Sequence, residues 1–527
     1  MAVQDSLLRR IEVAIGREKE RGSTTNLQEG IRVRRASRWI RLERTSLISI
    51  YFGLLLLVIP GVYAGTVNVS PGSNVPLIVR NNPSGTTFQF AAGVYRLTQP
   101  IVPKNNDVFI GASGLTTTLR GSVAITSFTH QGSYWVVTLP DVYSNPTCTT
   151  AGCGCQPAYP ACNLSEDLFF DNSVRQRVLA LSDVATGKWY WDVGAGKIYL
   201  ADDPVGHVVE VSVESKAFAG VASSVTINGL VVERFAGQAI YPRILGGQWS
   251  DGWVVENSVI RFNHLAGITM ANRMQVLNNT ICDNGKLGIG GGGDSDLIQG
   301  NEICGNNYAG FLGNRGGAKF DEATSLVVRS NYVHDNLGAG LHTDSGSLNT
   351  LYEYNRIISN EGSGIAHETC HAATIRYNLV ENEGYNLQDT SLAHGAGIWI
   401  YASDNVDVYG NTVVNSMNGI GVYQTLRNDN LGTHYVSNLS VHDNSITQQS
   451  GTAAGILSNT DTHYFPMIFN SWNNHFDNNT YCLSSSAGDF YEWDLQAVAK
   501  LTWQPVLQQD THGVWTCPAP VTTTNQQ

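Results

Sequence analysis

Between Asn257 and Asn444 the apolar positions fall in short runs such as TLYEY, GAGIWIYAS and VDVYGNTVV, which alternate with polar positions at period two and are rich in Val, Ile and Tyr. No stretch there sustains the 3.6-residue spacing of a helix, so strands are predicted throughout. An asparagine phrase punctuates them: a polar pair, Asn, one variable residue, then a β-branched residue. It recurs at Asn257, Asn279, Asn301, Asn331, Asn355, Asn378, Asn411 and Asn444, in steps of 22, 22, 30, 24, 23, 33 and 33 residues. A repeat of this period predicts a solenoid.

A coil of about 22 residues holds two or three short strands joined by tight turns, and stacking coils in parallel register buries a column of Val, Ile and Leu. Asparagine suits the turns because it tolerates left-handed backbone and its amide can bond to the Asn of the neighbouring coil. The glycines, 54 in 527 residues, recur at fixed offsets in GAGL, GSGI, GAGI and NGIG and mark corners.

On this repeat the chain resembles the right-handed parallel β-helix proteins of the pectin-lyase-like type, in particular bacterial secreted proteins with an Asn-rich helix repeat. The resemblance extends over residues 66–515, with FQFAAGVYRLTQPIVPKNNDVFIGASG similar to opening coils and LTWQPVLQQDTHG similar to a closing segment. It implies an all-β solenoid with capped ends, in a family that spans lyases, hydrolases, epimerases and non-catalytic proteins. Fold therefore leaves function to the site.

The repeat is interrupted at residues 126–213 by hairpin-like text, SYWVVTL, EDLFFDN and KWYWDVGAGKIYLADDP, separated by Gly, Asp and Pro turns. This predicts a β-rich insertion, after first coils at 65–125 and before the main helix at 214–460 and a C-terminal cap at 461–527. The phrase KWYWDVGAGKIYLADDP also resembles the inserted module of β-helix glycoside hydrolases of the fucosidase and xylanase kind. On the residues alone it is a two-stranded hairpin, with Trp189, Tyr190 and Trp191 either packing or offering a sugar platform.

The first 46 residues carry 11 Lys/Arg against 6 Asp/Glu, and the uncharged segment Leu47–Ile59 follows, with a signal-peptidase-like site at Val62-Tyr63-Ala64. This reads as an export signal, or else as a single membrane anchor; either way the solenoid is extracellular or at the cell surface. The remaining chain holds 21 Lys/Arg and 38 Asp/Glu, a net of −17, which disfavours nucleic acid. Neutral glycans, or anionic glycans met by a local cation, stay in view as partners. Nine cysteines fit an oxidising compartment. Two disulfides, ahead of a zinc site, are expected among Cys148, Cys153, Cys155 and Cys162; Cys282 and Cys304 stack on adjacent coils as a disulfide or as reduced thiols; Cys482 and Cys517 can tie down the end. Cys370 is left over as a structural thiol.

Aligning Gly288, Gly310, Gly340, Gly364 and Gly397 on one corner sets which residues of the following strand point outward. One face then gathers Lys319, Asp321, His342, Asp344, Glu368, Trp399 and Tyr401. Asp344 and Glu368 share an offset of 13 residues from Asn331 and Asn355, so in register their carboxylates lie roughly 5 Å apart. Like charges that close need a shared proton or a cation. Glycoside hydrolysis uses such a pair, at about 5 to 5.5 Å in retaining and about 6.5 to 9.5 Å in inverting enzymes, and Asp321 with Glu368 comes near the second spacing. Trp399 and Tyr401 would stack on sugar, with Arg315 and His367 as further substrate-binding candidates, although an inward histidine such as His367 usually satisfies a local hydrogen bond.

A polysaccharide lyase would use the same residues differently: Asp321, Asp344 and Glu368 around a calcium ion, and Lys319 or His342 as base. The sequence has neither the arginine-rich signature of pectate lyases nor the paired Asp and Gly-His-Gly pattern of polygalacturonases. A third reading is a non-catalytic glycan-binding or structural surface protein. Gly290 to Gly293 are expected to open the groove floor or to form a flexible turn.

Overall fold

Every coil of the repeat lays down three strands, one on each of three parallel sheets, as in Val327–Arg329, Tyr332–His334 and Ala339–Asp344 before the chain returns at Leu348–Glu353. The computed structural model describes residues 64–139, 148, 151–243, 247–387, 391, 392, 394–429, 431–458, 465–485 and 487–517. The cationic lead and Leu47–Ile59 lie outside the described residues. Among those described, the sheets hold 13, 13 and 12 strands, and no helix is long and apolar enough to cross a membrane.

Strict register is what the apolar alternation produces. Ile260, Ile281, Ile303, Val333, Ile357, Val380, Val413 and Ile446 form one interior column, each opposite the next and none exposed. Each such side chain contributes on the order of 1.5–3 kcal/mol by leaving water. A one-residue slip would turn the whole column outward, so the pattern fixes the register.

Between the first two sheets runs the asparagine ladder. Asn331 donates its backbone N–H and its Nδ2 to Asn355 Oδ1, both at 3.0 Å, and its Nδ2 also reaches Ile298 O at 3.0 Å. The same links join Asn279, Asn301, Asn331, Asn355, Asn378, Asn411, Asn444 and Asn479, and end on the Asp510 carboxylate. Ser258 and not Asn257 occupies the ladder position in its coil: Ile260 pairs with Ile281, which puts the ENSV phrase one residue out of step, and Asn257 is the left-handed turn residue at φ 50°. A second ladder, unflagged by the repeat phrase, runs through Asn263, Asn284, Asn306, Asn336 and Asn360 and ends on Glu383.

The β-rich insertion is an eight-stranded, mainly antiparallel sheet formed from Ser122–Ile125 to Val209–Ser212. Trp189 and Trp191 are buried in its own core, so they pack and do not form a sugar platform, and Asp192 closes the hairpin by accepting from Ala195 N. Beneath the sheet, buried His264 bridges Asp167 Oδ2 and the Cys162 carbonyl, while Tyr308 donates to the same Asp167 oxygen. The helix core is closed at one end by Val75–Asn81, which inserts Val75 and Val79, and at the other by Lys500–Trp503, which inserts Trp503. Disulfides join Cys148 to Cys153, Cys155 to Cys162, Cys282 to Cys304 across adjacent coils, and Cys482 to Cys517; Cys370 is free and buried.

Candidate active site

The outer face of the third sheet departs from the bland pattern over four neighbouring strands, Gly316–Asp321, Ala339–Asp344, Ile365–Glu368 and Ala396–Tyr401. Asp321 lies opposite Asp344 and Lys319 opposite His342; one coil on, Thr343 lies opposite His367, and Glu368 lies opposite Tyr401. Three carboxylates, Asp321, Asp344 and Glu368, thus stack on successive coils. His342, Asp344 and Glu368 each present a ligand-type atom within 4.8 Å of the other two.

Cations are threaded between these carboxylates. Lys319 Nζ lies 2.6 Å from Asp344 Oδ2 and 3.8 Å from Asp321 Oδ1, and it also donates to Asn314 Oδ1 at 2.9 Å. His342 Nε2 sits 3.0 Å from Glu368 Oε2, and Arg427 donates to Glu368 Oε1 at 2.7 Å. Burial alone would lift the Asp344 carboxyl, but Lys319 and His342 outweigh it and hold the group below its ordinary value. Burial would likewise lower Lys319, yet Asp344 and Asp321 keep it above the usual lysine range. Asp321 goes the other way: burial raises it and Lys319 offsets only part of that. One column therefore holds a carboxylate kept ionised beside a carboxyl that holds its proton more tightly.

Trp399 and Tyr401 follow on the next strand, with ring centroids 5.0 Å apart, and Tyr423 continues the row 5.1 Å from Tyr401. Trp399 is only 9% exposed, with His394 stacked at 6.2 Å, so Tyr401 presents more of its surface. Arg315 immediately precedes the strand that Asp321 ends, and its guanidinium is taken by Glu361 and the Leu337 carbonyl. His367 is fully buried in the helix, bonded through Nδ1 to Thr343 Oγ1 at 2.8 Å and pushed down to about 3 by burial. It is an interior residue and falls away as a substrate contact.

Two further expectations change. Gly317 and not Gly310 shares the corner with Gly288 and Gly340, because Leu287 pairs with Gly316 and Gly316 with Ala339; the Gly310–Phe311 pair instead packs against the disulfide loop at Tyr159 and Cys155. Gly291 and Gly292 do not open a groove: a Cβ on Gly291 would meet Arg243 Nη2 at 2.7 Å, and one on Gly292 would meet the Asp321 carbonyl at 2.1 Å. Close approach is what those glycines permit.

The residue set does not fit calcium. Calcium takes six to eight oxygen ligands, whereas here Lys319 and Arg427 already compensate two of the carboxylates and an imidazole stands between them. The second cluster of this type, Glu302, Cys304 and His334, contains a disulfide-bonded sulfur and offers no thiolate.

Arg427, Asn314 and Lys286 belong to this neighbourhood and were not among the sequence candidates. Step length is the signal that could have found the first two. Asn314 lies within the 30-residue step from Asn301 to Asn331, and Arg427 within the 33-residue step from Asn411 to Asn444.

Residues 244–413 match the family model for the right handed beta helix region. The chain is a right-handed parallel β-helix protein. Among solved β-helix structures, the complex of XylC with xylose is similar over 85% of this chain and 86% of that one, at 14% identity and a TM-score of 0.54. A mannuronan C-5 epimerase A-module from Azotobacter vinelandii is similar over 82% of this chain and 92% of that one, at 12% identity and 0.43. PfbA, a surface adhesin of Streptococcus pneumoniae, is similar over 80% and 82%, at 8% and 0.33. These likenesses are of fold. No curated protein matches the sequence of this β-helix chain.

Proposed function

We propose that this β-helix protein is an exported enzyme that hydrolyses a glycosidic bond, with Asp344 as nucleophile and Glu368 as the proton donor. The observation that carries the reading is the in-register carboxylate stack with Lys319 set against Asp344. Asp344 and Glu368 bring carboxylate oxygens within 4.8 Å of one another, a close pairing that favours the retaining arrangement, whose carboxyl groups stand about 5 to 5.5 Å apart, over the wider inverting one. Asp344, kept ionised, attacks the anomeric carbon and forms a glycosyl ester while Glu368 protonates the departing oxygen. In the second half Glu368 takes a proton from water, and that water displaces Asp344. His342, 3.0 Å from Glu368 Oε2, orients the donor, and Tyr401 with Trp399 offers ring faces for the sugar. The four disulfides and the xylose-bound neighbour support an extracellular, glycan-directed role.

One observation favours a variant of this scheme. Asp321 has its carboxyl raised by burial, which suits a group that must carry a proton, whereas Glu368 is paired with Arg427. Elimination is the weaker reading, because Lys319 is held charged by two carboxylates and is no base, which leaves His342 alone in that role.

The test incubates the purified exported portion with neutral and uronate-containing glycans and follows new reducing ends together with ultraviolet-absorbing unsaturated products. Reducing ends without unsaturation, lost in Asp344→Asn, are expected. Activity that survives Glu368→Gln but not Asp321→Asn moves the donor to Asp321. Unsaturated products replace hydrolysis by elimination, and silence across the panel sinks the enzyme reading in favour of a binding role.

A further inference from the structure

Beside the carboxylate stack, Lys286 is a cation in no ion pair among the described residues. Lys286 immediately precedes the strand Leu287–Gly290, the neighbour of Gly316–Asp321, and its side chain is partly exposed. Among the described residues no carboxylate or carbonyl accepts from its Nζ; its close contact is the face of Phe311, 5.1 Å to the ring centroid. The other cations of the site are taken. Lys319 is committed to Asp344 and Asn314, Arg427 to Glu368, and Arg315 to Glu361.

The disulfide loop of the insertion passes close to Lys286. A Cβ on Gly152 would lie 3.3 Å from Lys286 Nζ and 3.0 Å from Asn314 Nδ2, so only a glycine lets the loop come this near to both. Asn314 in turn accepts from Lys319, which places Lys286 one side chain away from the group that holds Asp344 ionised. The local charge also matters. Around the stack the cations Arg243, Lys286, Lys319 and Arg427 match the carboxylates Asp321, Glu322, Asp344 and Glu368 in number. On a chain whose exported part carries a net of −17 this is a local exception.

We propose that Lys286 is a specificity-determining residue that receives an anionic substituent of the glycan, a uronate carboxylate or a sulfate ester, at the edge of the site; this rests on the hydrolase reading above. An ammonium partly removed from water and lacking an anion is costly, and a bound anionic group completes it. Its titration agrees: burial, with the like charge of Lys319, lowers Lys286 to about 8, and only Asp321 opposes the shift. A bound anion favours the charged form, so recognition weakens as pH rises through that value.

The test uses tetrasaccharide sets that differ only in the substituent, neutral, C6-carboxylate and sulfate ester, read as binding to Asp344→Asn by calorimetry and as cleavage by the unmodified enzyme. At least one anionic member is expected to bind tenfold or more tightly than its neutral partner, with Lys286→Met and Lys286→Gln abolishing that preference and Lys286→Arg keeping most of it. Which member wins distinguishes carboxylate from sulfate. Equal binding of neutral and anionic members, a preference that survives both neutral substitutions, or no binding to any member overturns the assignment. Anion-selective, Lys286-dependent binding without cleavage of any member overturns the hydrolase reading and leaves the assignment to Lys286 standing. Two neutral variants are used so that a failure of one to fold does not decide the matter.

Discussion

The asparagine ladder and the carboxylate stack are built by the same operation, one polar side chain per coil in strict register, yet they are chemically opposite. An amide both donates and accepts, so Asn331 satisfies Asn355 and is satisfied by Asn301, and any number of copies can be stacked without a foreign partner. An ionised carboxylate only accepts. Asp321, Asp344 and Glu368 can share a column only with Lys319, His342 and Arg427 threaded between them. The ladder is a device for repetition. The stack works against repetition, and a chain keeps such an arrangement where charge is to be used.

The sharpest way to break the comparison is to turn one member of the stack into an amide. Asp344→Asn keeps shape and loses charge, and on the hydrolase reading kcat should fall by about a thousandfold or more, because the nucleophile is gone. Circular dichroism should be unchanged. A loss of less than tenfold would detach the stack from catalysis.

The converse substitution is Asn331→Leu in the ladder. It removes the Oδ1 that accepts from the buried Asn301 N–H and Nδ2 and the Nδ2 that donates to Asn355 Oδ1 and the Ile298 carbonyl; the Asn301 N–H is left without a partner, while Asn301 Nδ2 keeps the Val276 carbonyl and Asn355 Oδ1 keeps the backbone N–H of residue 331. One stranded buried donor costs about 1–3 kcal/mol and the other groups keep a second partner, so a loss of about 2 kcal/mol is expected from urea denaturation. The protein that remains folded should turn over normally, since the ladder lies between the first two sheets and the stack on the third.

These two outcomes parallel what could be read from the amino acids. The ladder was legible because self-complementary stacking repeats the same letter in the same phrase, and one coil was misplaced only because Ser258 substitutes for the amide next to Asn257. The outward set Lys319, Asp321, His342, Asp344 and Glu368 was legible because strand alternation is strict once the corner is aligned. Arg427 and Asn314 were not, since Arg427 begins a short hairpin strand and Asn314 sits in a loop, both in inserts with no period, and Lys286 was missed because it precedes the strand whose alternation was read. Alternation placed His367 inward, where it is buried, and Trp399 shows its limit: it gives the side of the sheet but not what lies over it, and Trp399 points outward beneath further aromatic side chains.

Within the stack, Lys319→Met isolates what the threaded cation does. Asp344 stands below its ordinary value because of that ammonium, so without it the carboxyl takes up a proton at higher pH. The acidic limb of the kcat profile should move up in pH, whereas a purely structural role for Lys319 would lower activity equally at every pH. Asp344 also links to stability. A depressed carboxyl contributes above its unfolded value near 3.9 and loses that contribution as pH falls through the folded one, so the variant should show a weaker loss of stability on acidification.

The smallest effect expected comes from a carboxylate that sits where an amide belongs. Asp296, in the turn between the third and first sheets, accepts from Met274 N through Oδ1 at 2.8 Å, while its buried Oδ2 has no partner. Asn474 occupies the corresponding place in a later coil, and its Nδ2 donates to the carbonyl of Val436, three residues before the Leu439 N–H that its Oδ1 accepts. The matching carbonyl here belongs to Ala271, and a Cβ on Gly293 would meet both that oxygen and Asp296 Oδ2, at 2.3 and 2.7 Å, so two acceptors face one another. A proton on Asp296 relieves this, and burial together with Asp294 raises the carboxyl to about 8. The folded state then holds a proton that the unfolded chain releases near 3.9, so stability declines as pH rises from about 4 to 8 and levels off beyond. Asp296→Asn supplies the missing donor permanently. It should raise the urea midpoint at pH 8 by the equivalent of about 1–2 kcal/mol and change little at pH 4. A gain equal at both pH values would mean that the amide improves packing and that the titration of Asp296 is immaterial.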